Sequence, residues 1–75
     1  MKQKNFYILM NKNTLSYHED GGYSTNDIEE AVHFKTASEA FRYLKTEIDD
    51  DYQEEFLVYK VNMNLDFELI EEDDI

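Results

Sequence analysis

Between Leu57 and Leu69 every odd position is apolar: Leu57, Tyr59, Val61, Met63, Leu65, Phe67 and Leu69. From Lys60 to Glu68 every even position is polar: Lys60, Asn62, Asn64, Asp66 and Glu68. Successive side chains of a strand point to opposite faces, so this alternation marks a sheet with one face buried and one wet. On a helix the same residues would be spread around the whole surface. Fully extended, the stretch would span ~40 Å, whereas a chain of this length packs into a body about 30 Å across. It must bend, break into two strands near Asn62 or Asn64, or overhang and pair with another chain.

The rest of the chain supplies elements for that stretch to pack against. Phe6-Tyr7-Ile8-Leu9-Met10 is a run of strand formers and reads as a central or doubly covered strand. Asn11-Lys12-Asn13 reads as a tight turn, because asparagine tolerates positive φ. Thr14–His18 then forms a return strand with Leu15 and Tyr17 on one face. Gly21-Gly22, the only glycines, suit a left-handed turn. Tyr23-Ser24-Thr25 extends back as a short strand, and Asn26 and Asp27 cap one helical turn carrying Ile28, Ala31 and Val32. Val32-His33-Phe34 leaves that turn extended.

Thr36-Ala37-Ser38-Glu39 is a capping-box pattern that opens a helix. Ala37, Ala40, Phe41, Leu44 and Ile48 follow at spacings of three and four, so the helix runs to about Ile48. Asp49, Asp50 and Asp51 then fall where the helix dipole is negative and each carboxylate costs about 0.3–1 kcal/mol. Either the chain leaves the helix at once or stability is given up to hold charge there. Glu71–Asp74 is expected to fray.

These elements make one α+β domain over residues 1–75: an antiparallel sheet of three or four strands, from the N-terminal hairpin and the long C-terminal strand or strand pair, with one helix on one face. The helix stripe and the odd-numbered strand face are expected to meet, centred on Phe41, Leu44, Val61 and Phe67. The chain has no cysteine, hence no disulfide or thiolate metal site, which suits a reducing interior. No apolar run approaches the ~18 residues of a membrane span, and the Met-Lys-Gln-Lys start lacks the apolar core of a signal peptide. The expected compartment is cytoplasmic.

Net charge is the most informative composition term. A formal −11 disfavours direct binding to nucleic acid or to anionic membranes. It is also lopsided: residues 1–18 carry Lys2, Lys4 and Lys12 with no acid, whereas residues 47–75 carry twelve acids and only Lys60. Spread over a ~30 Å body, that net charge is about one per 2.7 Å, comparable with the one per ~1.7 Å of a DNA duplex. Asp66 and Glu68 would project from one strand face roughly 6.6 Å apart. With Asp49, Asp50, Asp51, Glu54 and Glu55 they form the candidate partner-binding set, a fixed array of carboxylates for a basic groove.

Enzymatic chemistry finds no support in the sequence. His18 and His33 are the only histidines, Ser16 stands beside His18 on the same strand, and no third group orients the ring. There is neither a Gly-rich phosphate loop nor a cysteine nucleophile. Counted from Asp49 as a calcium loop, the sixth and twelfth positions are Glu54 and Lys60, where glycine and glutamate are required. No catalytic residue, metal site or cofactor is expected. Tyr43 and Tyr52 are the tyrosines expected at the surface.

The segments Phe6-Tyr7-Ile8, Leu15-Ser16-Tyr17, Gly21-Gly22-Tyr23, Glu30–Phe34 and Ser38–Leu44 resemble those of small acidic proteins encoded by phages and prophages. Such proteins include anti-CRISPR and other anti-defence inhibitors, some of which mimic DNA. The resemblance covers about half the chain and its motifs are structural. It implies a protein-binding inhibitor acting in the host cytoplasm, its partner a basic surface on a nucleic-acid-binding protein or nuclease. The other expectation is a non-enzymatic assembly module that forms a homodimer through its long C-terminal strand.

Overall fold

The computed structural model describes residues 5–62, 64 and 66–74. The strands are β1 (Phe6–Asn11), β2 (Tyr17–Glu19), β3 (Tyr23–Thr25), β4 (Phe56–Val61) and β5 (Phe67–Ile70), and the helix is α1 (Ala37–Glu47). Short 3-10 helices cover Asp50–Glu55 and Glu72–Asp74. All neighbouring strands are antiparallel, in the order β3-β2-β1-β4-β5. The architecture is the expected α+β arrangement, with five strands among the described residues where three or four were expected.

The long alternating stretch breaks into two strands, and β4 and β5 form a hairpin with Val61 opposite Phe67. Asn62 makes the turn. Its Oδ1 accepts from the N–H groups of Asn64 at 2.9 Å and Asp66 at 3.0 Å. Of the three outcomes the length allowed, the structure takes the break near Asn62. The expected inward positions of Met63 and Leu65 lie outside the described residues, as do Lys2 and Lys4.

The central strands are covered on both faces, and this corrects the expected core. α1 does not meet the odd-numbered face of β4. It packs on the even-numbered face, where Leu9 and Val58 join Ala40, Leu44 and Ile48, flanked by Tyr7, Phe41 and Phe56. Val61 belongs to a second cluster on the opposite face, with Ile8 and Ala31 buried and Phe6, Tyr17, Ile28 and Tyr59 around them. The cover there is the irregular stretch 26–33, in which Asp27 accepts from the N–H of Glu29 at 2.9 Å to form a turn rather than a full helical turn. Phe67 is 39% exposed, at the rim rather than the centre.

The sheet curls toward that second cluster. β2 and β5 are separated by β1 and β4, which in a flat sheet would put them ~14 Å apart. Tyr17 on β2 nonetheless stacks on Phe67 of β5 with ring centroids 6.2 Å apart. Together with Ile28 and Ala31, this contact shields Ile8 and Val61, both 0% exposed, without a second helix.

Two local geometries differ from expectation. Asn11 Oδ1 accepts from the N–H groups of both Asn13 and Thr14, so the asparagine organises the turn with its side chain. The positive φ falls instead on Leu15, at 60°, whose side chain is 67% exposed in the loop rather than beside Tyr17. At the end of α1, Ile48 is already extended (φ −96°, ψ 132°). Asp50 and Asp51 therefore sit in the first turn of the next helix, at its positive end, which removes the dipole penalty expected from the sequence.

Gln53 ties the two helices together. Its Nε2 donates to the carbonyls of Lys45 at 3.2 Å and Ile48 at 3.0 Å, satisfying groups that the end of α1 leaves unpaired. Replacing Gln53 by Leu is expected to cost about 1–2 kcal/mol by leaving those carbonyls without a donor. Urea denaturation measures it; a change within noise would show that water replaces the amide at no cost.

Candidate functional site

The fold gathers carboxylates at one end of the sheet. α1 ends at Glu47, and the 3-10 helix carrying Asp50, Asp51, Glu54 and Glu55, preceded by Asp49, leads directly into Phe56 at the start of β4. β5 runs the other way and finishes at the same end. Ile70 lies opposite Val58, so the chain leaves β5 beside Leu57 and Phe56. Glu71, Glu72 and Asp73 line a cleft there with Phe41 and Phe56. Nine carboxylates thus share this pole with Lys12, Arg42 and Lys45.

Several contacts fix the array. Lys45 pairs with Glu72 through its ammonium and accepts from Gln53 through its carbonyl, joining the two acidic segments. The N–H of Tyr52 donates to Asp49 at 2.8 Å, closing the 3-10 turn. Glu55 is half-buried: its Oε1 accepts from Asn11 Nδ2 at 3.3 Å, and its carbonyl accepts from the N–H of Lys12 at 2.8 Å. Asp49, Asp50, Asp51 and Glu54 are exposed. Three of the pole's carboxylates accept hydrogen bonds, Asp50 from Gln53, Glu55 from Asn11 and Glu72 from Lys45, and Glu71–Asp73 lie at the same end.

Asp66 and Glu68 lie elsewhere. Phe67 pairs with Val61, at the far end of β4 from Phe56, so the acidic set read from the sequence divides between two ends of the molecule. Asp66 precedes β5 in the hairpin turn, where its Oδ2 accepts from Asn62 Nδ2 at 3.4 Å. Glu68 stands opposite Lys60, and Asn5, Lys60, Asn62, Asp66 and Glu68 line a shallow cleft. Lys60 offsets part of the charge at that end. The array is therefore the pole of Glu47–Glu55 and Glu71–Asp73. Sequence reasoning left out Glu47, Glu71, Glu72 and Asp73, although the length of β5 returns the last acids to the pole.

His18 has a structural place. It is 6% exposed, its Nε2 lies 3.1 Å from the Tyr43 hydroxyl, and its ring meets the rings of Tyr43 and Phe56 edge-on. Tyr43, expected at the surface, is thereby half-buried, while Tyr52 is 54% exposed. The Ser16 hydroxyl shares a hydrogen bond with Thr14 Oγ1 at 2.7 Å rather than with the imidazole. Burial lowers the His18 pKa below the ordinary imidazole value, with Asp20 opposing the shift in part. Burial raises the Tyr43 pKa, with Asp20 and Glu47 adding to it.

The pH consequence has a definite sign. Folding holds His18 neutral, so as pH falls below the ordinary imidazole pKa of about 6.5 the unfolded chain takes up the proton first. The contribution present above that pH is lost as pH falls through the lower folded value. Subtracting the stability profile of His18→Gln from that of the wild type should isolate this loss from the carboxylates. Parallel profiles would remove His18 from the account.

Among the described residues no group of three His, Asp or Glu side chains is placed to hold a metal ion, and no helix is long and apolar enough to cross a membrane. Comparisons with protein-family models, with curated proteins and with solved structures find no match to the chain.

Proposed function

We propose that this protein is a small acidic inhibitor that binds a protein partner, occupying the basic nucleic-acid-binding site of a host defence or nucleic-acid-processing protein in the manner of a phage-encoded DNA mimic. The observation that carries this reading is the acidic pole: carboxylates from α1, the following 3-10 helix and the end of β5 held at one end by Gln53 and Lys45. A fixed negative surface competes with a phosphate backbone for the same basic groove and associates fast through long-range attraction. Binding alone produces inhibition, without catalysis, cofactor or metal, and its place is the cytoplasm of the host cell.

The test is affinity capture from a host lysate with the wild-type protein, followed by competition at the captured partner. The partner should bind nucleic acid, and duplex DNA should displace this protein from it. A partner with no affinity for nucleic acid, or one that holds DNA and this protein together, would refute the proposal.

A second reading, an assembly module that pairs through its C-terminal strand, draws on the position of β5 at the edge of the sheet. Sedimentation distinguishes it: a dimer insensitive to salt favours assembly, and a monomer at all concentrations removes it.

A further inference from the structure

Within the described residues, β5 has a neighbour only on the β4 side. In an antiparallel ladder every second residue turns its N–H and C=O toward the same neighbour. The N–H of Asn62 donates to the carbonyl of Asp66 at 3.2 Å, which fixes the phase. Asp66, Glu68 and Ile70 therefore bond to β4, and Phe67 and Leu69 turn their backbone groups outward. No described backbone group meets them from outside the sheet.

The side chains beside this edge differ between faces. On the curled face Phe67 is 39% and Leu69 44% exposed, and Phe67 continues into an aromatic surface with Tyr17 and Tyr59. On the helix face Glu68 is exposed, and it forms no ion pair with Lys60 although the two stand opposite on adjacent strands. Asp66 precedes Glu68 on the same alternation. An incoming strand bonded to Phe67 and Leu69 would lay apolar side chains on the curled face and place every second residue against these carboxylates.

A second copy fits poorly. Two β5 strands exchanging the hydrogen bonds of Phe67 and Leu69 would put Glu68 directly opposite Glu68, and like charges in that position destabilise a sheet. Two bodies of formal charge −11 also repel before contact. A strand bearing cations at alternate positions meets neither obstacle.

We propose that the outer edge of β5 takes up an extended segment of a protein partner in which apolar residues alternate with lysine or arginine. The choice of a basic protein partner rests on the inhibitor reading, but the surface is distinct from the acidic pole and is tested separately.

The probe is a short blocked peptide alternating valine and lysine, with a valine–glutamate peptide as control, read by amide hydrogen exchange of the full chain. The lysine peptide should slow exchange at Phe67 and Leu69 and bind about tenfold more tightly than the control. Leu69→Pro removes only an outward N–H, a change an edge strand tolerates, and should abolish the protection while the melting curve stays cooperative. Glu68→Lys should invert the peptide preference. Equal binding of the two peptides, protection confined to Asp49–Glu55, or protection of Phe67 and Leu69 that grows with protein concentration without peptide would each overturn the proposal. Retained peptide protection after neutralising Asp49, Asp50 and Asp51 would support the edge even where the pole fails in capture.

Discussion

Replacing Leu9 or Ile8 by alanine is expected to destabilise the protein by about 2–5 kcal/mol in either case, the largest effects of any single substitution here. Both positions are at most 1% exposed, and they lie on adjacent residues of the central strand with opposite orientations. Leu9 loses its contacts with Ala40 and Leu44 under α1, and Ile8 loses those with Ala31 and Val61 on the curled face. A domain of this size has only about 4–11 kcal/mol of stability in total, so each variant should lose a large share of it. The comparison is informative because a sheet covered only by its helix would make Ile8→Ala a surface change of about 0.5 kcal/mol or less. Urea titrations of the two variants, side by side, decide between one covered face and two.

Neutralising the pole should leave the fold intact and remove the interaction. The combined variant Asp49→Asn, Asp50→Asn, Asp51→Asn and Glu54→Gln changes four exposed groups with no part in either core cluster. Each exposed charge pair with a partner is worth roughly 0.7 kcal/mol, and four of them amount to about a hundredfold in affinity. The stability of the variant should stay within about 1 kcal/mol of the wild type, since lost hydrogen bonds at the 3-10 helix are offset by relief of repulsion among neighbouring acids. A variant that binds as tightly as the wild type would show that the pole serves solubility alone.

Much of this fold was legible in the chain because local physics set it. The alternation from Leu57 to Leu69 survives as β4 and β5, Thr36 accepts from the N–H of Glu39 at 3.1 Å as the capping pattern expects, and both glycines hold positive φ. The face that α1 covers was not deduced. Val58 is apolar at an even position beside Phe56-Leu57, a short continuous apolar run that signals a doubly covered strand. The longer alternation downstream, which belongs to a half-covered edge, concealed it. The sequence places positive φ on the asparagines of the turn, whereas Asn11 acts there through its side chain and the positive φ falls on Leu15. The bond between His18 and Tyr43 joins distant parts of the chain and leaves no local pattern.

The candidate site was half legible for a related reason. Asp49–Glu55 could be identified as a compact acidic segment, but charge in a sequence carries no direction. Only the hairpin between β4 and β5 determines that Glu71–Asp73 return to Phe56 while Asp66 and Glu68 stay at the far end. Once the chain doubles back, carboxylates far apart in sequence converge around Lys45, and the acidic face moves from a strand surface to the end of the molecule.

The most direct measurement is the affinity of the wild type and the pole-neutralised variant for the captured partner across a series of salt concentrations. The wild type should weaken steeply as salt rises, and the variant should bind weakly with a nearly flat dependence. Two lines of equal slope would contradict the claim that the acidic pole is the surface that binds.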